Sequence, residues 1–422
     1  MNLLFLHQNF PAQFRHIAAH FAADPAHRVV AVGERDNLKR AVASAPLHPP
    51  IHPRIELCPY AAPPPSGKAS HPWLQGYDAA VRRGLTAAGL VAQLKESGFR
   101  PDVIVAHPGW GEALFLRDVF PDARLVLYAE YYYRAAGADV GFDPEFPAAA
   151  DDLFRLRIKN STQWMSIENA DLLVAPTHWQ QSRFPLLVQD RIRVVHDGID
   201  TGLVAPNPSA QISLVTAGIT LGAGDEIITY VARNLEPYRG FHVFMRSLPA
   251  LLKLRPKARV LIVGGDHVSY GTKPADGRTW RRTMLEEVGS HIDASRVHFL
   301  GRLAYADYLR LLQISTVHVY LTYPFVLSWS LLEAMSVGCM VVGSRTAPVE
   351  EVIRHGENGW LVDFFDHQAL AEKVAEAIGQ RNSLTQVRAA ARQTVVDQFD
   401  LRTRCLPQQV ALLQELAAKS QG

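Results

Sequence analysis

The run Val317–Val342, VHVYLTYPFVLSWSLLEAMSVGCMVV, joins a short apolar strand to a loop, a helix carrying Glu333, a closing glycine and a second apolar strand. Strand, helix and strand in that order describe a parallel βαβ unit. Glu333 then lies about one turn into a helix whose N-terminus opens at the carboxyl end of a strand. Open α/β sheets place ligands there, with backbone N–H groups and the helix dipole aimed at a phosphate. Upstream, ITYVARNLEPYRGFHVFMRSLPAL (228–251) supplies a second strand end, which carries Arg233 and Arg239. Two cations and a helix-borne acid at neighbouring strand ends can hold a nucleotide diphosphate and its ribose.

The same alternation extends in both directions. Short β-like runs fall at Leu3–Leu6, Val29–Val32, Val103–Ala106, Leu125–Tyr128, Leu172–Val174 and Ile192–Val195. After a gap they resume at Ile227–Val231, Val260–Val263, Val297–Leu300, Val317–Leu321 and Met340–Val342. Val81, Leu85, Ala88 and Val91 recur near helical spacing and predict a helix over Ala79–Lys95. Prolines crowd the stretch from Ala45 to Pro72, which reads as loop with room for one edge strand at Ile55–Cys58. Thr201–Asp225 is short on pattern and rich in Gly, Ala, Pro and Ser. These features predict two domains, 1–203 and 204–395, followed by a helical tail over 396–422.

A chain of 422 residues is too long for one ordinary core and suits two. A net charge of +2 with no basic run gives no reason to expect a nucleic-acid partner. No apolar stretch reaches the length of a membrane span. The opening MNLLFLHQNF has an apolar run of four without basic residues before it, which reads as a first strand rather than a signal peptide. The three cysteines, Cys58, Cys339 and Cys405, are far apart and read as buried thiols in a reducing cytoplasm. The 17 histidines lack ligand spacing, so no metal is expected.

Arg233, Arg239 and Glu333 carry a resemblance to the retaining glycosyltransferases of family 4, which have the GT-B fold. That resemblance covers roughly Asn2–Leu413. It implies two Rossmann-like β/α/β domains facing across a cleft, a C-terminal tail that crosses back onto the first domain, a nucleotide-sugar donor and no cofactor. The acceptor it implies is a sugar, a lipid-linked sugar or another hydroxyl compound. It also implies a cytoplasmic enzyme with at most peripheral contact to the inner membrane face. The family places an Arg and a Lys on the donor diphosphate, where charge builds as the leaving group departs. Here the second cation is Arg239, which keeps the charge and adds bidentate geometry. The bland alternative for both arginines is a solvated loop. Glu333 matches the second acid of the family's E-x7-E motif, the one that grips the ribose hydroxyls; a surface helix carboxylate is its bland reading. The first acid would fall at residue 325, which is Phe325. Two explanations stand open: a donor with fewer hydroxyls there, such as a deoxy-sugar, or contacts supplied by the backbone amides of Val326, Leu327 and Ser328 with the Ser328 hydroxyl.

Other strand ends add candidates. Gly264 and Gly265 end one strand and Gly301-Arg302-Leu303 the next, a region that lies beside the base in the family; turn formation alone explains the glycines equally well. His267–Arg282, with Tyr270 and Trp280, reads as a loop over the site. Gln8, Asn9 and Gln13 follow the first strand, where the family often has a glycine-rich loop; the absence of G-x-G-x-x-G argues against a nicotinamide dehydrogenase. The family's N-domain histidine would align with Glu130 in LVLYAEYYYR, either a group that stabilises oxocarbenium-like charge or orients the acceptor hydroxyl, or a structural acid paired with Arg134. His107, in AHPGWGE, is a second candidate. Trp110 and Tyr131–Tyr133 offer aromatic faces for an acceptor. His196, Asp197, Gly198 and Asp200 form a turn with a structural role. The competing functions are another enzyme on this scaffold, an epimerase or phosphorylase, and a non-catalytic nucleotide-sugar binding protein.

Overall fold

The computed structural model describes residues 1–43, 50–64 and 67–419. The chain divides into two compact units, Met1–Gly198 with the segment from Arg402 onward, and Ile199–Leu401. Parts of the proline-rich stretch, 44–49 and 65–66, lie outside the described residues.

The first unit is built on seven parallel strands: β1 (Asn2–Leu6), β2 (Arg28–Glu34), β3 (Ile55–Tyr60), β4 (Val103–Ala106), β5 (Arg124–Tyr128), β6 (Leu172–Ala175) and β7 (Ile192–Val194). Their order is β3-β2-β1-β4-β5-β6-β7. Side chains alternate across a strand, so each apolar run feeds both faces. Leu4, Leu6, Val30, Ile104 and Leu125 face one core, which Val91, Leu116 and Ile167 complete from covering helices. Leu3, Phe5, Val29, Val103 and Val126 face the other, with Ile17 and Phe21 of the helix Arg15–Ala23. Leu413 and Ala417 of the helix Leu406–Ala418 join that second core. Continuous apolar strands are what a parallel sheet covered on both faces requires. Pro59 sits in β3, which pairs only with β2, so its missing N–H costs no ladder bond at the edge.

The second unit opens with an antiparallel hairpin, β8 (Gln211–Leu214) and β9 (Ile219–Gly222), where the sequence shows little pattern. Ile212, Leu214, Ile219 and Leu221 do alternate, but strands of four residues are too short for the period to stand out. Six parallel strands follow: β10 (Ile227–Asn234), β11 (Arg259–Gly265), β12 (Val297–Gly301), β13 (Val317–Tyr320), β14 (Met340–Ser344) and β15 (Trp360–Val362). Their order is β12-β11-β10-β13-β14-β15. β15, three residues beside Gly359, is too brief to predict from pattern. Each sheet therefore has one point where the chain reverses direction across it, β1/β4 in the first unit and β10/β13 in the second. Ligands of open α/β sheets sit outside the carboxyl ends of the strands at such points. Among the described residues no helix is long and apolar enough to cross a membrane.

His318 lies within β13 with no exposed surface. Its Nδ1 is 2.9 Å from Thr229 Oγ1, which is 2.7 Å from Ser315 Oγ. Burial lowers its pKa to about 3, against about 6.5 in an unfolded chain. The folded state therefore favours the neutral ring. Its contribution is complete above pH 6.5 and is lost as pH falls, because the unfolded chain binds the extra proton. This one residue should cost about 3 kcal/mol of stability between pH 6.5 and pH 4. Chemical denaturation across that range should show a shallower pH dependence in His318→Gln, and an unchanged slope would contradict the assignment.

Candidate active site

The β10/β13 switch point is assembled by a turn that only one residue type can close. β10 ends on Asn234, and Pro237–Arg239 forms a single 3-10 turn with Pro237 at its first position, where no N–H is needed. Gly240 ends the turn at φ +67°, and a Cβ there would lie 2.4 Å from the Cβ of Leu321. The turn thus seats directly on the segment leaving β13. Tyr323 N–H donates to the Tyr238 carbonyl at 3.0 Å, and the Tyr230 hydroxyl to the Arg239 carbonyl at 2.6 Å.

This seating buries Arg239, which is 8% exposed. Its Nη1 donates to Thr322 Oγ1 at 2.8 Å and to the Val326 carbonyl at 3.0 Å, and the Tyr270 ring centre lies 5.5 Å from the guanidinium carbon. It makes no ion pair with any described residue. Arg233 is exposed at the end of β10. Beyond β13, the Ser328 side chain accepts the Ser330 N–H and caps the helix Trp329–Ser336, while Ser328 N–H donates to the Tyr320 hydroxyl at 2.8 Å. The Ser328 amide is thereby occupied, which corrects its expected availability to a ligand. The N–H groups of Val326 and Leu327 have no acceptor among the described residues.

Phe325 is 3% exposed, its ring 4.7 Å from that of Tyr270 and 5.6 Å from that of Tyr238. It fills an aromatic cluster instead of opening onto solvent. Tyr270 is brought there by a feature that sequence reading missed. The Glu236 carboxylate, 1% exposed, accepts the backbone N–H groups of Ser269 (3.0 Å), Tyr270 (3.2 Å) and Gly271 (3.0 Å). Asn234 Nδ2 donates to Ser269 Oγ at 2.7 Å. The loop after β11 is thus fastened at its start, and it ends earlier than expected, since Trp280–Val288 is helical.

Glu333, fifth residue of its helix, is 7% exposed. Its Oε1 accepts from the Tyr305 hydroxyl at 2.7 Å and its Oε2 from the Tyr308 hydroxyl at 2.6 Å. Burial raises its pKa, opposed by the two phenols. It is not a surface acid. Gly264 and Gly265 have packing reasons: a Cβ at the first would lie 2.7 Å from Leu235 Cδ2, at the second 2.6 Å from Asn234 Oδ1. Gly301 has φ +65° with open space around it, a turn requirement. Arg302 is exposed and donates to Asn234 Oδ1 at 3.3 Å, and Leu303 packs on the core.

In the first unit, β1, β4 and β5 bring together residues far apart in the chain. Gly109 N–H donates to His107 Nδ1 at 3.0 Å, so the neutral ring carries its proton on Nε2, 3.3 Å from Glu130 Oε2. Gln13 Nε2 donates to Glu130 Oε1 at 3.0 Å. Glu130 remains a third exposed, its side chain at 34%. Its expected alternative partner, Arg134, instead donates to the carbonyls of Arg183 and Phe184. Trp110 stacks on His107, ring centres 4.6 Å apart. Behind it the Tyr60 hydroxyl donates to the buried Glu112 at 2.5 Å, and Arg83 donates to the Trp110 carbonyl at 2.8 Å.

The expected aromatic platform does not form as one face. Tyr131 is buried, donating to Asp139 Oδ1 at 2.9 Å, and Tyr132 packs toward Phe184. Gln8 and Asn9 act mainly through backbone: the Gln8 carbonyl accepts from Asn37 Nδ2, and Asn9 N–H donates to His7 Nδ1. Ala12 takes φ +39°, so the loop keeps one left-handed residue despite lacking glycines. Glu112, Glu236, Tyr305 and Tyr308 carry no motif signal; only the pairing of acids with distant hydroxyls and amides reveals them.

Two family profiles account for most of the chain: "Glycosyl transferase family 4 group" over residues 25–204 and "Glycosyl transferases group 1" over residues 218–394. A GDP-mannose-dependent alpha-(1-6)-phosphatidylinositol monomannoside mannosyltransferase of Mycolicibacterium smegmatis is 23% identical over 246 residues, 56% of this chain and 60% of that protein. A D-inositol 3-phosphate glycosyltransferase of Nocardioides is 26% identical over 50% of this chain and 47% of its own length. The chain spans about half the length of the curated relatives it matches. Among solved structures, Anabaena Alr3699/HepE in complex with UDP-glucose aligns over 98% of this chain and 99% of its own, with TM-score 0.66 and 18% identity. Sucrose-phosphate synthase of Thermosynechococcus elongatus aligns over 99% and 100%, with TM-score 0.71 and 16% identity. These likenesses show a GT-B fold, and the two profiles together place the chain in the group 1 glycosyltransferases, family 4.

Proposed function

We propose that this chain transfers a glycosyl group from a nucleotide-diphosphate sugar to an acceptor hydroxyl, with retention at the anomeric carbon. The observation that carries the reading is Arg239, a buried cation met, among the described residues, only by neutral groups at the switch point of the second sheet. An anionic ligand there would supply the missing counter-charge. Arg233 at the end of β10, the free N–H groups of Val326 and Leu327 and the N-terminus of the helix Trp329–Ser336 all favour a diphosphate at that place. The Anabaena relative holds UDP-glucose and the mycobacterial one is named for GDP-mannose, so the chemistry they share is a diphosphate ester, whatever the base.

In the proposed reaction the bond from C1 to the leaving diphosphate oxygen breaks. A bond from C1 to the acceptor oxygen forms on the same face, and the acceptor proton passes to the departing phosphate. The two arginines offset charge developing on the leaving group without a metal ion. In the first unit, Glu130 with His107 is the proposed pair for orienting an acceptor hydroxyl. The acceptor is a sugar or a lipid-linked sugar in this reading.

Two outcomes follow. In a thermal-shift series with UDP, GDP, ADP, CDP and dTDP, one nucleotide at saturation should raise the melting temperature by about 5 °C. Arg239→Ala should abolish that rise; no rise in the unaltered protein would contradict the proposal. Glu236→Ala removes the acceptor of three partly buried N–H groups, at a cost of about 2 kcal/mol. Fast amide exchange should appear at Ser269, Tyr270 and Gly271, and donor KM should increase roughly tenfold. Retained protection with an unchanged KM would show that the loop does not serve donor binding.

A further inference from the structure

Glu333 is held in a way that its place on the helix does not require. Tyr305 and Tyr308 stand three residues apart on the helix Tyr305–Ile314, so both side chains project from one face. Their rings lie 5.8 Å apart and both pack against the core of the second unit. Each hydroxyl takes a different oxygen of the Glu333 carboxylate, at 2.7 and 2.6 Å. A carboxylate offers about four acceptor sites over its two oxygens. One donor on each oxygen fixes the orientation of the group and leaves acceptor capacity on both. Paired acceptors of that kind suit a vicinal diol, the group that distinguishes a ribose from a 2′-deoxyribose. Acids beyond the end of a sheet strand serve ribose in the same manner in other nucleotide-binding folds.

We infer that Tyr305 and Tyr308 are positioning residues that aim Glu333 at the two ribose hydroxyls and so make the site select ribonucleotide over 2′-deoxyribonucleotide donors. This rests on the nucleotide-sugar reading above. Neither tyrosine touches the reacting atoms; both act through Glu333. A purely structural role predicts something different. Loss of a packing or folding contact would weaken ribose and deoxyribose ligands alike, because it would disturb the whole site.

Calorimetric titration with UDP, GDP and their 2′-deoxy counterparts separates the two. The unaltered protein should bind its preferred ribonucleoside diphosphate roughly tenfold more tightly than the 2′-deoxy form, the scale of a hydrogen bond to a charged group. Tyr308→Phe and Tyr305→Phe, which keep the rings, should each shrink that ratio toward the value found in Glu333→Gln. Affinity for the 2′-deoxy form should stay within about twofold. A ratio that survives in both variants while all affinities fall together would overturn the inference yet leave the nucleotide-sugar reading intact. Failure of the unaltered protein to bind any of the four would overturn both.

Discussion

Removing a guanidinium from water is costly unless acceptors or a negative charge replace its hydration. Arg239 is placed under that constraint by backbone geometry, since Gly240 lets the turn press against Leu321 and carry the side chain inward. It finds a threonine hydroxyl, a carbonyl and a tyrosine face, and no carboxylate among the described residues. Nearby acids are already committed: Glu236 to three amides of the following loop, and Glu333 to two phenols. The arrangement leaves positive charge uncompensated at the one point of the sheet where a ligand can reach between diverging strands. On the proposed reading, a counter-anion delivered by the substrate both stabilises the unit and defines its chemistry.

The first unit solves a different problem with the same topology. Its switch point lies between β1 and β4, and the residues following these strands and β5 converge as His107, Glu130 and Gln13. Here the charged group is a carboxylate, held by ring and amide N–H donors. The Gly109 amide decides which histidine nitrogen carries the proton, and that proton faces Glu130. A carboxylate fixed on both oxygens and still a third exposed is suited to accept a hydrogen bond from an incoming hydroxyl. Tyr60 and Arg83 bond to Glu112 and to the Trp110 carbonyl, on the segment that follows His107.

Much of this was legible from periodicity. Parallel strands buried on both faces leave continuous apolar runs, so the sheets and the positions of Arg239 and Glu333 just past strand ends could be read directly. The hairpin at Gln211–Gly222 and the strand Trp360–Val362 escaped because three or four residues cannot establish a period. The partners of the site escaped for another reason. Glu112 meets Tyr60 across 52 residues, and Glu236 meets amides more than 30 residues on. Loop conformation makes those contacts, and no local spacing encodes it. Phe325 is instructive in the same way: its position suggested an altered contact with the donor sugar, whereas its ring is committed to packing against Tyr238 and Tyr270.

The central claim is that the second unit's switch point binds a diphosphate through Arg239. A crystal structure of the protein soaked with UDP or GDP tests it most directly. The account predicts phosphate oxygens within hydrogen-bond distance of the Arg239 guanidinium and the Val326 and Leu327 amides, with the ribose hydroxyls at Glu333. A nucleotide bound elsewhere, with Arg239 still enclosed by Thr322 and the Val326 carbonyl alone, would contradict it.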